Sequence, residues 1–381
     1  MGKNAKKAYL EAIRWRYHQA KRLEKTKILD EFCAVCHYHR KYALRKLAAA
    51  PLKTSKSKPG KPSRYNRPDI MKALKVIWLA SGQMASKRLQ VAIPLWLPQY
   101  EKTYGAIADD VRYLLLAMSA ATMDRLLEGV RVTVGKRGLS GTKPGTLLKK
   151  QIPIQAGVWD VTQPGFMEAD TVAHCGDSLA GDFAWSLTMT DICTGWTEYR
   201  VTWNKGSNGV LLRIKEIEKA LPFQLQGFDC DNGSEFLNWH LLRYFQGQKQ
   251  PVQFTRSRPY HSNDNAHVEQ KNWSGVRQLL GYDRFDNPKL INLINDLYAK
   301  EFSLMNNYFC PTMKLASKKR IGSKIVKHYG KPQTPAQRLM EHPSTTPEIK
   351  AKLQATLETY NPFVLRATIE RKLRLIFKFV R

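Results

Sequence analysis

Residues 165 to 203 constrain the chain most, because they hold three strand-like blocks in close succession: "GFMEADTVAH" (165–174), "DFAWSLTMTD" (182–191) and "GWTEYRVTW" (195–203). All three are rich in aromatic and β-branched residues, and short Gly- or Thr-containing turns separate them, which reads as an antiparallel meander. The pattern then changes. "NGVLLRIKEIEKAL" (208–221) has helical spacing, "FQLQGFDCD" (223–231) reads as a strand, and "SEFLNWHLLRYFQ" (234–246) reads as a helix capped by Ser234. After a short strand near "VQFTR" (252–256), the remainder to about residue 335 reads as largely helical. A sheet followed by strand and helix units predicts an α/β or α+β core.

The chain ahead of this segment has another texture. Residues 1–62 hold 17 Lys and Arg against four acidic residues. Within "KTKILDEFCAVCHYHRKYALRKLAAA", Ile28, Phe32 and Val35, then Tyr42, Ala43 and Leu47, make two short amphipathic runs broken near Cys36 to Tyr38, as in a helix-turn-helix. The second run carries Arg40, Lys41, Arg45 and Lys46, and the second helix of that motif enters the major groove of DNA. No glycine marks the turn, so an ordinary basic helical hairpin fits the same residues. Pro, Ser, Gly and Lys dominate "PLKTSKSKPGKPSRYNRP", and Gly, Lys and Pro recur in "VTVGKRGLSGTKPGTLLKK", so both read as linkers. The expected organisation is multidomain: a helix-turn-helix-like module at 1–50, a basic linker at 51–68, a second helical module at 69–131, a basic linker at 132–154, a core at 155–335 and a basic helical region at 336–381.

Charge narrows the partner. The 381 residues carry 62 Lys and Arg against 32 Asp and Glu, a formal charge of +30 that opposes compactness unless a polyanion binds. Nucleic acid is the leading partner, with a solvated basic surface or a ribosome-associated protein as the plain alternatives. No segment approaches the roughly 18 apolar residues of a membrane span, and "MGKNAKKAYL" lacks a signal-peptide core. A soluble cytoplasmic protein, nucleoid-associated if bacterial, is expected. Six Cys in a chain this long suit thiols in a reducing compartment.

Three acidic residues stand where structure alone would not ask for them. Asp170 lies inside the first strand, although strand interiors disfavour Asp. Asp231 ends "FDCD" before an Asn-Gly turn, with Asp229 on the same strand parity as its alternative. In "HSNDNAHVEQKNW", Asn263 or Asp264 can cap a helix on which Ala266, Trp273, Val276 and Leu280 recur on one face, and Glu269 falls on that face too. An unpaired buried carboxylate costs several kcal/mol or is neutralised, so three of them predict convergence on a common cation. A hard divalent ion, Mg²⁺ or Mn²⁺, takes oxygen ligands from a few carboxylates together with water and phosphate, and two such ions can clamp an in-line phosphoryl displacement. Glu168, Asp177, Asp182 and Asp191 read instead as turn caps and surface charges.

"MEADTVAH", "FDCDNGSEF" and "RPYHSNDNAHVEQKNW" resemble the three motif blocks of the retroviral integrase catalytic core and of related bacterial insertion-sequence transposases, the DDE superfamily. The resemblance covers roughly residues 155 to 335 and implies an RNase H-like fold, a mixed sheet flanked by helices. By that match Asp170, Asp231 and Glu269 take the places of the catalytic, metal-holding triad, with 37 residues between the last two, slightly more than in the best-known viral members. It further implies metal-dependent DNA cleavage and strand transfer at mobile-element ends, and a homo-oligomer on DNA. Around the triad, Arg256, Arg258, Tyr260, His261, Asn263, Lys271 and Arg277 are the expected DNA contacts, Lys271 on another helical face from Glu269. The same triad also fits a structure-selective nuclease, and the fold without chemistry fits a DNA-binding regulator.

Other motifs carry less. "CAVCH" crowds Cys33, Cys36 and His37, with His39, into seven residues with no distant pair, so the cysteines fit better as small apolar residues on a helix packing face than as zinc or haem ligands. "GKRGLSGTKPG" lacks the Gly-Lys-Ser/Thr ending of a phosphate-binding loop at the required spacing. The tail "LRATIERKLRLIFKFVR", with six basic residues and one acidic, reads either as a backbone-binding helix or as a solvated face.

Overall fold

A computed structural model describes residues 2–49, 63–130, 162–257 and 266–380, in two compact units that divide after Arg64. The linker expected at 132–154 lies outside the described residues, as does most of the one at 51–68.

In the first unit, α1 (Lys3–Gln19), α2 (Arg22–Cys36) and α3 (Arg40–Ala48) close on a small core of Ile13, Tyr17, Ile28, Phe32, Ala43 and Leu47. The expected break falls where the sequence places it, and α1 adds a third helix. His37 ends α2 in the left-handed region at φ 52°, the position usually given to glycine. This answers the missing glycine of the turn: a histidine takes its conformation.

The second unit is built on a five-stranded mixed sheet of order β3-β2-β1-β4-β5: β1 (Phe166–Ala173), β2 (Ala184–Asp191), β3 (Thr197–Trp203), β4 (Gly227–Cys230) and β5 (Gln253–Arg256). β1, β2 and β3 form the antiparallel meander, while β4 and β5 run parallel to β1. The two parallel steps are reached through α8 (Ser207–Ala220) and α9 (Trp239–Gln246), since parallel neighbours need a crossover. The α9 helix starts later than the sequence suggests, because Asn238 and not Ser234 caps it, accepting the Leu241 N–H at 3.0 Å.

Each face of the sheet has its own core. Met167, Ala169, Leu187, Phe228 and Phe254 pack under α8 and α9. The other face meets a larger cluster, to which the helices of the expected second helical module also contribute: α4 (Pro68–Ala80), α5 (Ser86–Tyr104), α6 (Asp109–Ala117) and α7 (Ala120–Leu127). Trp96 of α5 stacks edge-on against Phe309 and Phe363 and donates its indole N–H to the Phe309 carbonyl at 2.9 Å. Residues 266–280 cross this face as one helix, α10 (Ala266–Lys271) passing through a π-helical turn (Asn272–Arg277) into α11 (Gln278–Leu280), and α12 (Lys289–Leu297) follows.

The region read as largely helical to residue 335 instead contains a hairpin, β6 (Leu315–Ile321) and β7 (Lys324–Tyr329). Its Lys-rich composition hides the strand signal, which rests on Ile321, Ile325 and Val326 flanking a Gly322-Ser323 turn with Gly322 at φ 61°. The chain ends in α13 (Pro335–Glu341), α14 (Pro347–Thr359) and α15 (Pro362–Phe377).

β3 is an edge strand, yet its outer backbone groups are satisfied. Asn307 accepts the Thr197 N–H at 2.9 Å and donates to the Thr197 carbonyl at 3.0 Å; Asn295 does the same for Val201 at 2.7 and 2.8 Å. Two side-chain amides thus stand in for a sixth strand, because an amide alone offers one donor and one acceptor in the needed geometry. Asn307→Ala should strand two buried backbone groups and lower stability by about 2 kcal/mol, with Asn307→Asp no better since a carboxylate cannot donate. Chemical denaturation of both variants checks this, and a loss confined to Asn307→Ala would contradict it.

A candidate carboxylate site on the sheet face

The parallel pairing of β1 with β4 sets Glu168 beside Asp229. Side chains alternate along a strand, so two residues further on Asp170 stands next to Asp231, where the chain leaves β4, on the same face. Four carboxylates therefore occupy two adjacent rows. The deeper row is satisfied by hydrogen bonds: Thr255 donates to Asp229 Oδ1 at 2.6 Å, and the backbone N–H groups of His267 and Val268 donate to Glu168 Oε2 at 3.0 and 3.1 Å. Glu168 is thus neither a turn cap nor a surface charge, as its sequence context suggested, but a buried carboxylate that holds the start of α10. A helix N-terminus offers free N–H donors, which makes a carboxylate there favourable. Asp191 is the turn cap expected, accepting from Gly165 N–H at 2.8 Å and from the Thr194 N–H and hydroxyl at 2.7 and 2.6 Å.

Both rows remain electrostatically unbalanced: burial foremost pushes Glu168 up to about 8 despite its N–H donors. Burial likewise pushes the Asp170 carboxyl up to about 7, and Asp231, Glu235 and Glu269 push the same way against the Thr171 N–H. Asp231 is also raised, by burial first and then by Glu235, with the Gly233 N–H and the Lys205 ammonium opposing. Asp170 accepts the Thr171 N–H at 2.7 Å and the Asn272 amide at 2.7 Å, so the helix is tied to β1 at both Glu168 and Asp170. Gly275 lets it lie close, since a Cβ there would sit within the Tyr199 ring.

Glu269 departs from the sequence expectation. The buried face of the helix is Val268, Asn272, Val276 and Leu280, while Glu269 is exposed and Trp273, one turn on, is 49% exposed. The physical reason is the π-helical turn at Asn272–Arg277, which breaks the 3.6-residue spacing on which the inferred stripe depended. Glu269 therefore lies at the open edge, still near enough to raise both Asp170 and Glu168. Among the described residues no three His, Cys, Asp or Glu side chains stand together closely enough to enclose a metal ion. The donor set nonetheless fits a hard divalent cation. Its ligands are all oxygen, Asp231 raises Asp170 by repulsion, and Mg²⁺ needs only one or two carboxylates beside water and phosphate.

Two members of the site escape the sequence reading. Glu235 is buried, accepting from Lys205 at 2.7 Å and from the Thr171 hydroxyl at 3.0 Å, and its charge bears on both Asp170 and Asp231. The signal was a lone acid inside apolar "EFLNW". Asn272 is the polar residue in the true buried stripe, visible only once the π turn is known.

The expected DNA contacts separate. Arg40, Lys41, Arg45 and Lys46 are exposed on α3, with Arg40 paired to Asp30. Arg258, Tyr260, His261 and Asn263 lie outside the described residues. Arg256 is buried and donates to Asn232 Oδ1 at 2.9 Å, bracing the turn after Asp231. Lys271 turns inward to the Gly195 carbonyl at 3.3 Å, where burial foremost, with Arg88 and Arg338, lowers it to about 7. Arg277 is half-buried, 4.8 Å over the Tyr282 ring. These three brace the fold and do not line the open edge. In the first unit Cys36 is in the core, Cys33 packs against it, and His37 and His39 are exposed.

A carboxyl whose folded value is raised binds a proton that the unfolded chain has already released, so stability falls as pH rises between the two values. For Asp170 that window runs from 3.8 to about 7. The metal-free Asp170→Asn variant should therefore gain on wild type across this window, by about 4 kcal/mol in all, and the difference should level off above it. Paired denaturation curves from pH 4 to 8 in chelator test this; a constant difference would show that the carboxyl is not held up.

No family model matches the chain. One solved structure that resembles it is the catalytic core domain of BIV integrase, at 14% identity over 45% of this chain and 91% of that one, with a TM-score of 0.27, too loose a superposition to carry an argument. Among curated proteins, the uncharacterized protein y4rM of Sinorhizobium fredii is 39% identical over 337 residues, 86% of this chain and 93% of that protein. The chain belongs to the same family as y4rM.

Proposed function

We propose that this protein is a DDE-type transposase or integrase, in which residues 155–335 carry out metal-dependent DNA cleavage and strand transfer at the ends of a mobile element. The observation that carries the reading is the outer carboxylate row: Asp170 and Asp231 brought together by strand register, with the helix bearing Glu269 tied across them by Glu168 and Asn272. The first two motif blocks and the described part of the third, residues 266–273, meet in space at this row.

Asp170 and Asp231 would hold Mg²⁺ or Mn²⁺, with Glu269 closing from the open edge. Such an ion supplies a nucleophile at neutral pH and neutralises charge on the phosphodiester under attack. The chain's own residues do the positioning. Glu168 and Asn272 fix the height of the helix over β1, and Arg256 with Asn232 fixes the turn that presents Asp231. Their bonds set where the scissile phosphate can sit. In the same proposal the exposed basic side of α3 reads element ends as a helix-turn-helix, the modules follow the layout inferred from sequence, and a homo-oligomer brings two ends together. The formal charge of +30 supports a DNA partner.

The test is a strand-transfer assay with Mg²⁺ or Mn²⁺ and duplexes carrying the sequences that flank the gene. Wild type should give joined products. Glu269→Gln and Asp231→Asn should lose more than about 100-fold, beyond what outer-shell partners of a metal site typically contribute. Cleavage without joining would indicate the nuclease instead, and tight DNA binding with no chemistry would indicate a regulator.

A further inference from the structure

The β6–β7 hairpin has no structural reason to be as it is. Residues 314–331 hold seven Lys or Arg and no acidic residue. The two strands pair only with each other, and both faces are open, with Ile321 65% and Ile325 54% exposed. An isolated two-stranded hairpin is marginal in water. Here Lys318 also stands directly opposite Lys327, a like-charge pair that works against the strands. Among the described residues no carboxylate pairs with Lys318, Lys319, Lys324 or Lys327 to offset this. Neither burial nor internal charge completes this surface, and its composition selects a polyanion to do so.

The base of the hairpin is firmly anchored, and its contacts lead by way of the β2–β3 turn to the helix that carries Glu269. Gly330 N–H donates to the Lys314 carbonyl at 2.9 Å, and Thr312 and Gln333 exchange backbone hydrogen bonds at 2.8 and 3.2 Å. Arg338 donates to the Thr312 hydroxyl at 2.8 Å and to the Thr194 carbonyl at 2.9 Å, while the Lys314 ammonium reaches the Cys193 carbonyl. The same turn is held from its other side by Lys271, two residues past Glu269, through the Gly195 carbonyl. One unbroken set of contacts thus joins the hairpin base, the β2–β3 turn and the helix that carries Glu269.

Dimensions choose the form of the polyanion. Strands of six and seven residues extend about 20 Å, and two strands with their side chains span about 10 Å, which matches the roughly 12 Å major groove of B-form DNA. The A-form major groove is too deep and narrow for such a ribbon. With basic residues on both faces, the ribbon can meet phosphates on each wall while Ile321 and Ile325 at its tip approach base edges.

We infer that residues 315–329 are a DNA-binding β-ribbon that enters the major groove of duplex DNA and holds it beside the carboxylate row. This rests on the proposed DNA chemistry for what the bound duplex is there to undergo. The experiment uses the full chain and a duplex of about three helical turns, and measures affinity by fluorescence anisotropy across a salt series. One variant combines Lys318→Ala, Lys319→Ala, Lys324→Ala and Lys327→Ala. The other replaces 315–329 by two glycines bridging Lys314 and Gly330, whose backbones already meet. With melting temperatures unchanged, the fourfold variant should lose about 3 to 4 from the slope of log affinity against log salt and about 10- to 100-fold in affinity at physiological salt. The shortened variant, which also removes Arg320, Ile321 and Ile325, should lose at least as much, and an RNA duplex of the same sequence should bind wild type more weakly than DNA. Unchanged slopes in both variants, equal binding of RNA and DNA duplexes, or loss of binding to phosphatidylserine vesicles with DNA binding intact would each overturn the inference. Wild type that joins element ends while both variants bind and join equally well would remove the ribbon and keep the chemistry. Loss of binding in the variants with no joining by wild type would do the reverse.

Discussion

The parallel pairing of β1 with β4 decides what the second unit must accommodate. It sets Glu168 next to Asp229 and Asp170 next to Asp231, four acids in two rows on one sheet face, where mutual repulsion and burial both disfavour ionisation. The inner row takes hydrogen bonds from Thr255 and from the start of α10, and the outer row from Thr171, Asn272 and Gly233. Of the two, the outer row opens to the edge where Glu269 and Trp273 are exposed. A fold that wanted only stability would place apolar residues there, and the tie from Asp170 to Asn272 comes with a carboxyl held near 7.

Around this row the molecule is braced with uncommon thoroughness. Asn295 and Asn307 close the edge of β3, Gly275 lets the helix rest on Tyr199, and Arg256 with Asn232 holds the turn after Asp231. Lys271 and Arg277, side chains that in sequence look free to reach a ligand, are drawn inward to a backbone carbonyl and an aromatic ring. Rigid support under an electrostatically strained row is the arrangement expected when a site must hold its geometry before its ligand arrives. Exposed cations include those on α3 and those along the β6–β7 ribbon.

Much of this was legible in the sequence. The meander, the crossover helices and the convergence of Asp170 with Asp231 follow from strand alternation and from acids in places that strands disfavour. The break between α2 and α3 was visible although a histidine, not a glycine, makes the turn. What failed did so for physical reasons. The stripe through Glu269 assumed an unbroken α-helix, and one π-helical turn rotated the carboxylate out of the core. Glu168 looked like an ordinary strand charge because its partners, two backbone N–H groups about a hundred residues away, leave no side-chain signature. The hairpin at 315–329 was hidden because lysines mask the alternation of its few apolar residues.

The most direct measurement is a crystal structure of the full chain with Mn²⁺ and duplex DNA, read at the manganese absorption edge. Anomalous density between Asp170 and Asp231, with Glu269 turned in from the open edge to complete the ligand set, is the predicted result. Density absent from that row while DNA is bound, or manganese held by other side chains, would contradict the reading of these carboxylates as a catalytic metal site.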